Sequence, residues 1–104
     1  MLITTADQIE GKRITQTYGL VKGSAIRAKH VGRDIVAALR NLVGGEIPEY
    51  TKLMGESREQ AIQRMVREAE SQGANAVVGV RITTSMIMSG AAEILVYGTA
   101  VKVE

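Results

Sequence analysis

The densest grouping of chemically capable side chains in this 104-residue chain is Arg27-Ala28-Lys29-His30-Val31-Gly32-Arg33. Lys29 and Arg33 are cations, and His30 is the chain's one imidazole. At the start of a helix, unpaired backbone N–H groups join such cations, and the ligand this chemistry holds is a small phosphate or carboxylate. One imidazole supplies one metal ligand. Symmetry in an oligomer supplies the others, so a transition-metal site here is expected between subunits, with His30 as its metal ligand. Two more cations stand apart. Arg58 falls near an apolar stripe, between Met54 and Ala61-Ile62, and Arg81 sits among small residues of a strand. An unpaired buried charge costs several kcal/mol, so each is expected to meet a carboxylate or to hold a ligand. The carboxylates within reach of this reading are Asp34, Glu49, Glu68 and Glu93. The candidate binding set is therefore Lys29, His30, Arg33, Arg58 and Arg81.

Other chemistries are excluded by composition. The chain has no Cys, which removes disulfides, zinc–thiolate sites, iron–sulfur clusters and thiol catalysis. The soft donors left are Met54, Met65, Met86 and Met88, each on a stripe that faces a core, where Met acts as a gap-filler. Gly19-Leu20-Val21-Lys22-Gly23 lacks both the Lys-Ser/Thr ending of a phosphate loop and the third Gly of a dinucleotide fingerprint. No Gly-x-Ser-x-Gly elbow occurs. Glu46 and Glu49 flank a helix start, where the helix dipole alone favours them. No enzyme activity is expected. The net charge is +2, and no aromatic interleaves the basic stretch, so nucleic acid is not an expected partner. No run approaches the roughly 18 apolar residues of a membrane span. A carboxylate at Asp7 and the absence of a basic start argue against a signal peptide, so the expected location is the cytoplasm.

The elements that position these residues follow from periodicity. One domain, residues 1–104, is expected at this length. Residues 2–5 form a short edge strand. Residues 13–21 are rich in β-branched types and read as a strand that resumes through Ala25-Ile26-Arg27. Val31, Ile35, Ala38, Leu39, Leu42 and Val43 recur at helical spacing, and Gly44-Gly45 ends that helix. A second helix begins at Ile47-Pro48 and carries Tyr50, Leu53, Met54, Ala61, Ile62, Met65, Val66 and Ala69 on one side. Its phase survives Gly55-Glu56-Ser57, which favours one long helix ending at Gly73. The alternative is a break near Gly55 with Ser57 capping the second part. Residues 75–88 alternate as a strand, with Val78, Val80, Ile82, Met86 and Met88 on the apolar face. After the turn Ser89-Gly90-Ala91-Ala92, residues 93–103 return antiparallel.

This last strand is apolar on both sides. Ile94, Val96 and Ala100 share one face; Leu95, Tyr97, Val101 and Val103 share the other. Helices cover one face of a small sheet, so the other needs the N-terminal segment, another sheet or another subunit. A core without Phe or Trp adds to the pressure for burial between subunits. The expected fold class is α+β: an antiparallel sheet of three or four strands with two helices packed on one face, in the order β-α-α-β-β, forming a ring-shaped homo-oligomer.

Several motifs occur together in order along nearly the whole chain. They are Tyr18-Gly19-Leu20-Val21-Lys22-Gly23, Gly44-Gly45, Tyr50 with Arg58 and Ala61, Gly73-Ala74-Asn75-Ala76-Val77-Val78-Gly79-Val80-Arg81, and the closing Tyr97-Gly98-Thr99-Ala100-Val101. The combination resembles the YbjQ-like family, which carries a heavy-metal-binding label. The resemblance implies a small α+β fold and a homo-pentameric ring, and implies no reaction. Soft metals want thiolates, so metal capacity that rests on Cys does not carry over. The expected function is a homo-oligomeric small-ligand or ion-binding module with sites at subunit interfaces. The alternatives are a structural or protein-interaction ring without ligand, and an enzyme with a composite inter-subunit site. In a nickel or zinc titration, His30→Ala is expected to lose the uptake that the unsubstituted protein shows; equal uptake by both removes His30 from any metal site.

Overall fold

The structure, a computed structural model, describes residues 1–27, 48–88 and 91–104. In chain order these form β1 (Leu2–Ile3), β2 (Ile14–Arg27), the helix α1 (Pro48–Ser71), β3 (Ala76–Met88) and β4 (Ala91–Val103). The strands make one sheet in the order β1-β3-β4-β2. The pair β3–β4 and the pair β4–β2 are antiparallel, while β1 runs parallel to β3 through Leu2 opposite Ala76 and Ile3 opposite Val77.

The expected architecture is corrected in three respects. The sheet is mixed rather than antiparallel, because the N-terminal strand joins beside β3 in the same direction. Among the described residues there is one helix, not two. The helix expected over 31–43, its Gly44-Gly45 stop, and Lys29, His30 and Arg33 lie outside the described residues. The ring-forming homo-oligomer is not borne out either, and the homo-pentamer has no support. The last strand is apolar on both faces, and this chain itself covers much of both. β4 is an inner strand between β2 and β3. On one face, Ile94, Val96 and Ala100 join Val21, Ala25, Met65, Val77 and Val80 under α1. On the other, Val101 and Val103 join Ala76 and Val78 beneath Ile9 and Ile14 from the N-terminal part of the chain.

A single residue breaks the alternation expected for β3. Gly79 has φ +62, in the left-handed region, and the pairing with β4 shifts register between Val78 and Arg81. The extra residue sends Val77 and Val80 to the helix side and Val78 to the opposite cluster. The Gly79 N–H donates to the Ala6 carbonyl at 2.8 Å and the Val80 N–H to Thr4 at 3.0 Å, so the bulge is also where the N-terminal segment is tied down.

α1 runs unbroken through Gly55-Glu56-Ser57, which settles the long helix over the broken one. Ser57 is not a cap. It is fully buried, and its hydroxyl donates to the Leu53 carbonyl one turn back at 2.8 Å. With Ala61, Met65 and Ala69 it forms a buried stripe of mostly small residues. The helix ends in a Schellman arrangement: Gly73 at φ +90 donates to Glu70, and Ala74 donates to Ala69.

The small stripe lets the helix meet β2 backbone to backbone. A Cβ on Gly23 would collide with the Ala61 carbonyl oxygen, the Met65 amide nitrogen and, at 2.8 Å, the Arg64 Cβ. Across the ladder Gly23 faces Val96, flanked by Val21 opposite Gly98 and Ala25 opposite Ile94. α1 lies chiefly on β2, less on β4, and barely touches β3. Ile82 and Met86, placed by sequence on a core-facing stripe, are therefore 46% and 77% exposed. Met65 is the core methionine, and Met54 packs partly against it.

Gly23→Ala is expected to cost about 3 kcal/mol or more, lowering Tm by upwards of ~10 °C, because no flexible side chain can yield. Gly55→Ala is the matching control. Its Cβ would meet only Arg58 Nη2, at 4.0 Å, and the helix gains about 0.5–1 kcal/mol from the lost glycine. Thermal melts of the two variants should move in opposite directions.

Candidate functional site

Of the cations singled out by sequence, the structure describes Arg58 and Arg81, and it does not bring them together. Arg58 is exposed on α1. It follows the buried Ser57 by one residue, about 100° around the helix, and so falls off the stripe it was expected to join. With water around it, it needs no carboxylate. Arg81 is also exposed, and among the described residues its partners are carbonyls rather than a carboxylate. One guanidinium nitrogen, Nη1, donates to Thr5 and to Val80, both at 2.9 Å. Arg81 therefore pins the N-terminal segment to β3 beside the Gly79 bulge. Among the carboxylates named for pairing, Glu68 and Glu93 are half-buried without an ion pair among the described residues; the ion pair found there is Arg13–Glu104 at 3.9 Å, on the surface.

A different set of polar side chains converges at the open edge of β2. Arg64, on the exposed side of α1, reaches past Gly23 and donates through Nη1 to the Ser24 carbonyl at 2.5 Å. Because the helix backbone sits directly on Gly23, Arg64 leaves the helix at the level of the strand edge. The bond fills one position on that edge and fixes the guanidinium, whose other donors have no hydrogen-bond partner among the described residues. The groove beside it holds about 530 Å³ and is lined by Lys22, Gly23, Ser24, Arg64, Glu93 and Leu95. Two cations stand there with one carboxylate and one apolar side chain. Such a pairing of cations has the chemistry to hold an anion by charge and by guanidinium N–H donors, and a carboxylate such as that of Glu93 is a hydrogen-bond acceptor.

None of Lys22, Ser24 or Arg64 was picked out by sequence, and Glu93 only as an ion-pair partner. Alternation along β2 places Lys22 and Ser24 on one face. No local pattern says that a helix cation forty residues on lands beside them.

The fold and groove define a small α+β module with a mixed sheet, one described helix along it, and a cationic cleft at the sheet edge. The chain belongs to the YbjQ family, whose profile, described as "putative heavy-metal-binding", matches residues 1–104. It is similar to a UPF0145 protein of Methanosarcina acetivorans, with 60% identity over 103 residues, 99% of this chain and 97% of that protein. A UPF0145 protein of Thermus thermophilus is 55% identical over 104 residues, all of this chain and 91% of its own. The crystal structure of a DUF74-family protein of unknown function from Pediococcus pentosaceus shares the fold, with TM-score 0.67 and 15% identity, covering 100% of this chain and 98% of that one.

The family description raises a heavy metal as ligand. The donor set described here does not fit one. There is no thiolate in the chain, Met65 is fully buried in the core, and among the described residues no three His, Asp or Glu side chains gather. Soft cations select thiolate or several thioethers together, so no chemistry is routed through a metal. His30 lies outside the described residues.

Arg81→Ala is expected to cost about 1–2 kcal/mol, the scale of a charge-assisted hydrogen bond. Hydrogen exchange should rise locally at the Gly79 and Val80 amides while the helix-side core keeps its protection. Unchanged protection there would mean that Arg81 is not what holds the N-terminal segment.

Proposed function

We propose that the protein is a cytoplasmic, homo-oligomeric binding module that takes a small anion in the groove at the β2 edge. The observation that carries this reading is the Arg64 guanidinium, held at the Ser24 carbonyl with Lys22 beside it and a concave space in front of both. A fixed fork-shaped donor next to a second cation is what recognition of a carboxylate or phosphate requires. The proposal assigns no catalytic role.

Self-association is supported by apolar exposure on the same strands. Leu20 and Ile26, on β2 either side of the groove, are 66% and 58% exposed, and Ile87 on β3 is 50% exposed. Large apolar side chains grouped on a surface favour burial against another chain. A second copy seated on the β2 edge would add a wall to the groove and turn an open cleft into an interface site.

The test is calorimetric titration of inorganic phosphate at low ionic strength, with light scattering at micromolar protein. The unsubstituted protein should bind phosphate and scatter as more than a monomer. Arg64→Ala should weaken phosphate at least ten-fold, and Arg64→Lys should restore only part of it, because the ammonium cannot hold Ser24 and the ligand together. A well-folded, associated protein that ignores phosphate would move the function to a structural or protein-interaction assembly.

A further inference from the structure

The ligand class follows from what lies next to the groove across the sheet. β4 is paired on both sides, and its register places Tyr97 opposite Lys22 of β2 and opposite Arg81 of β3. Residues directly opposite in a ladder share a face, with Cβ atoms about 4.5–5.5 Å apart. Lys22, Tyr97 and Arg81 therefore form a row across three strands on the face turned away from α1. The next row is Ser24, Leu95 and Thr83, and the one after is Ile26, Glu93 and Ser85. Tyr97 and Leu95 are half-buried, whereas Lys22, Arg81, Thr83 and Ser85 are exposed.

This face is built from three kinds of group. By register the half-buried Tyr97 lies between two exposed cationic residues, Lys22 and Arg81. Lys22 belongs both to this row and to the groove, so the two adjoin. Glu93 stands two residues beyond Leu95 on the same face. An aromatic ring on an exposed sheet face, flanked by cations, is a stacking platform for a base. One ring fits one base, which selects a single nucleotide over a strand. No phosphate loop is needed, because the phosphate contacts come from side chains brought together by strand pairing.

Resting on the anion-binding reading above, we infer that the ligand is a nucleoside monophosphate. Its phosphate sits at Arg64 and Lys22, and its base stacks on Tyr97 with Arg81 at the far side. The span is adequate: adjacent strands lie about 4.8 Å apart, so the Lys22–Tyr97–Arg81 row is about 10 Å across.

The experiment titrates the full chain with inorganic phosphate, ribose 5-phosphate, adenosine and adenosine monophosphate in the same low-salt buffer. Adenosine monophosphate should bind at least ten-fold tighter than inorganic phosphate and than adenosine. Tyr97→Leu should bring it down to the level of ribose 5-phosphate, and Tyr97→Phe should keep the advantage. As a readout that needs no variant, the Tyr97 ring protons of the unsubstituted protein should shift with adenosine monophosphate and stay in place with ribose 5-phosphate. If all phosphates bind alike and the ring protons do not respond, the nucleotide inference is overturned while the anion groove stands. If none of the four probes binds, both readings fall together.

Discussion

The close approach of α1 to β2 at Gly23 is the constraint on which the rest of the molecule depends. A helix normally rests on a sheet through side chains about a layer thick. Here it rests on the strand's backbone, made possible by a missing Cβ on Gly23 and by the small side chains of Ser57 and Ala61. Three consequences follow. The burial of Met65, Val21 and Val96 is achieved with no large ring among the fully buried residues, Tyr18 packing at the margin. Arg64 is brought down to the strand edge, where a longer gap would have left it in solvent. The helix is also drawn to the β2 side, so that the helix-side face of β3 keeps Ile82 and Met86 exposed.

β4 is the second organiser. As an inner strand it sends alternate residues into two clusters, one beneath the helix and one beneath Ile9 and Ile14. That arrangement removes the need to find another subunit for its C-terminal half, where Val101 and Val103 are buried by the chain itself. Farther along, Tyr97, Leu95 and Glu93 stay half-buried on the same face. Their place in the middle of the sheet puts neighbours on both sides of Tyr97, and the proposed binding surface depends on that centrality. Gly98, where a Cβ would stand 2.7 Å from Val77 Cγ1, keeps β4 close enough to β3 for the register to hold.

Much of the framework was legible in the residues. The β-branched run after residue 13, the unbroken helical phase across Gly55, the left-handed stop at Gly73 and the closing antiparallel hairpin are all properties of near neighbours in sequence. They follow from periodicity and from the freedom of glycine. The parallel pairing of Leu2–Ile3 was not legible, because a two-residue strand has no direction until its neighbour is known. Nor was the bulge. Gly79 interrupts a pattern whose alternation reads as regular, and only its pairing with β4 shows that one residue has been added. The exposure of Arg58 and Arg81 was not legible for the same reason. Their neighbours along the chain are apolar or small, yet both side chains reach water, and Arg81 has backbone carbonyls where a carboxylate was expected.

The sequence by itself determined the long helix, the three long strands, the family and the chemistry that a chain without cysteine cannot perform. These rest on residue types and on spacings of a few positions, which local sterics and hydrogen bonding translate directly into helix and strand. The tertiary structure alone decided which cations meet. Lys22, Arg64, Arg81 and Tyr97 come from three strands and a helix, and their placement near one another depends on strand order, on register and on the close approach at Gly23. Those are outcomes of packing the whole chain at once, and no short stretch of it carries the information.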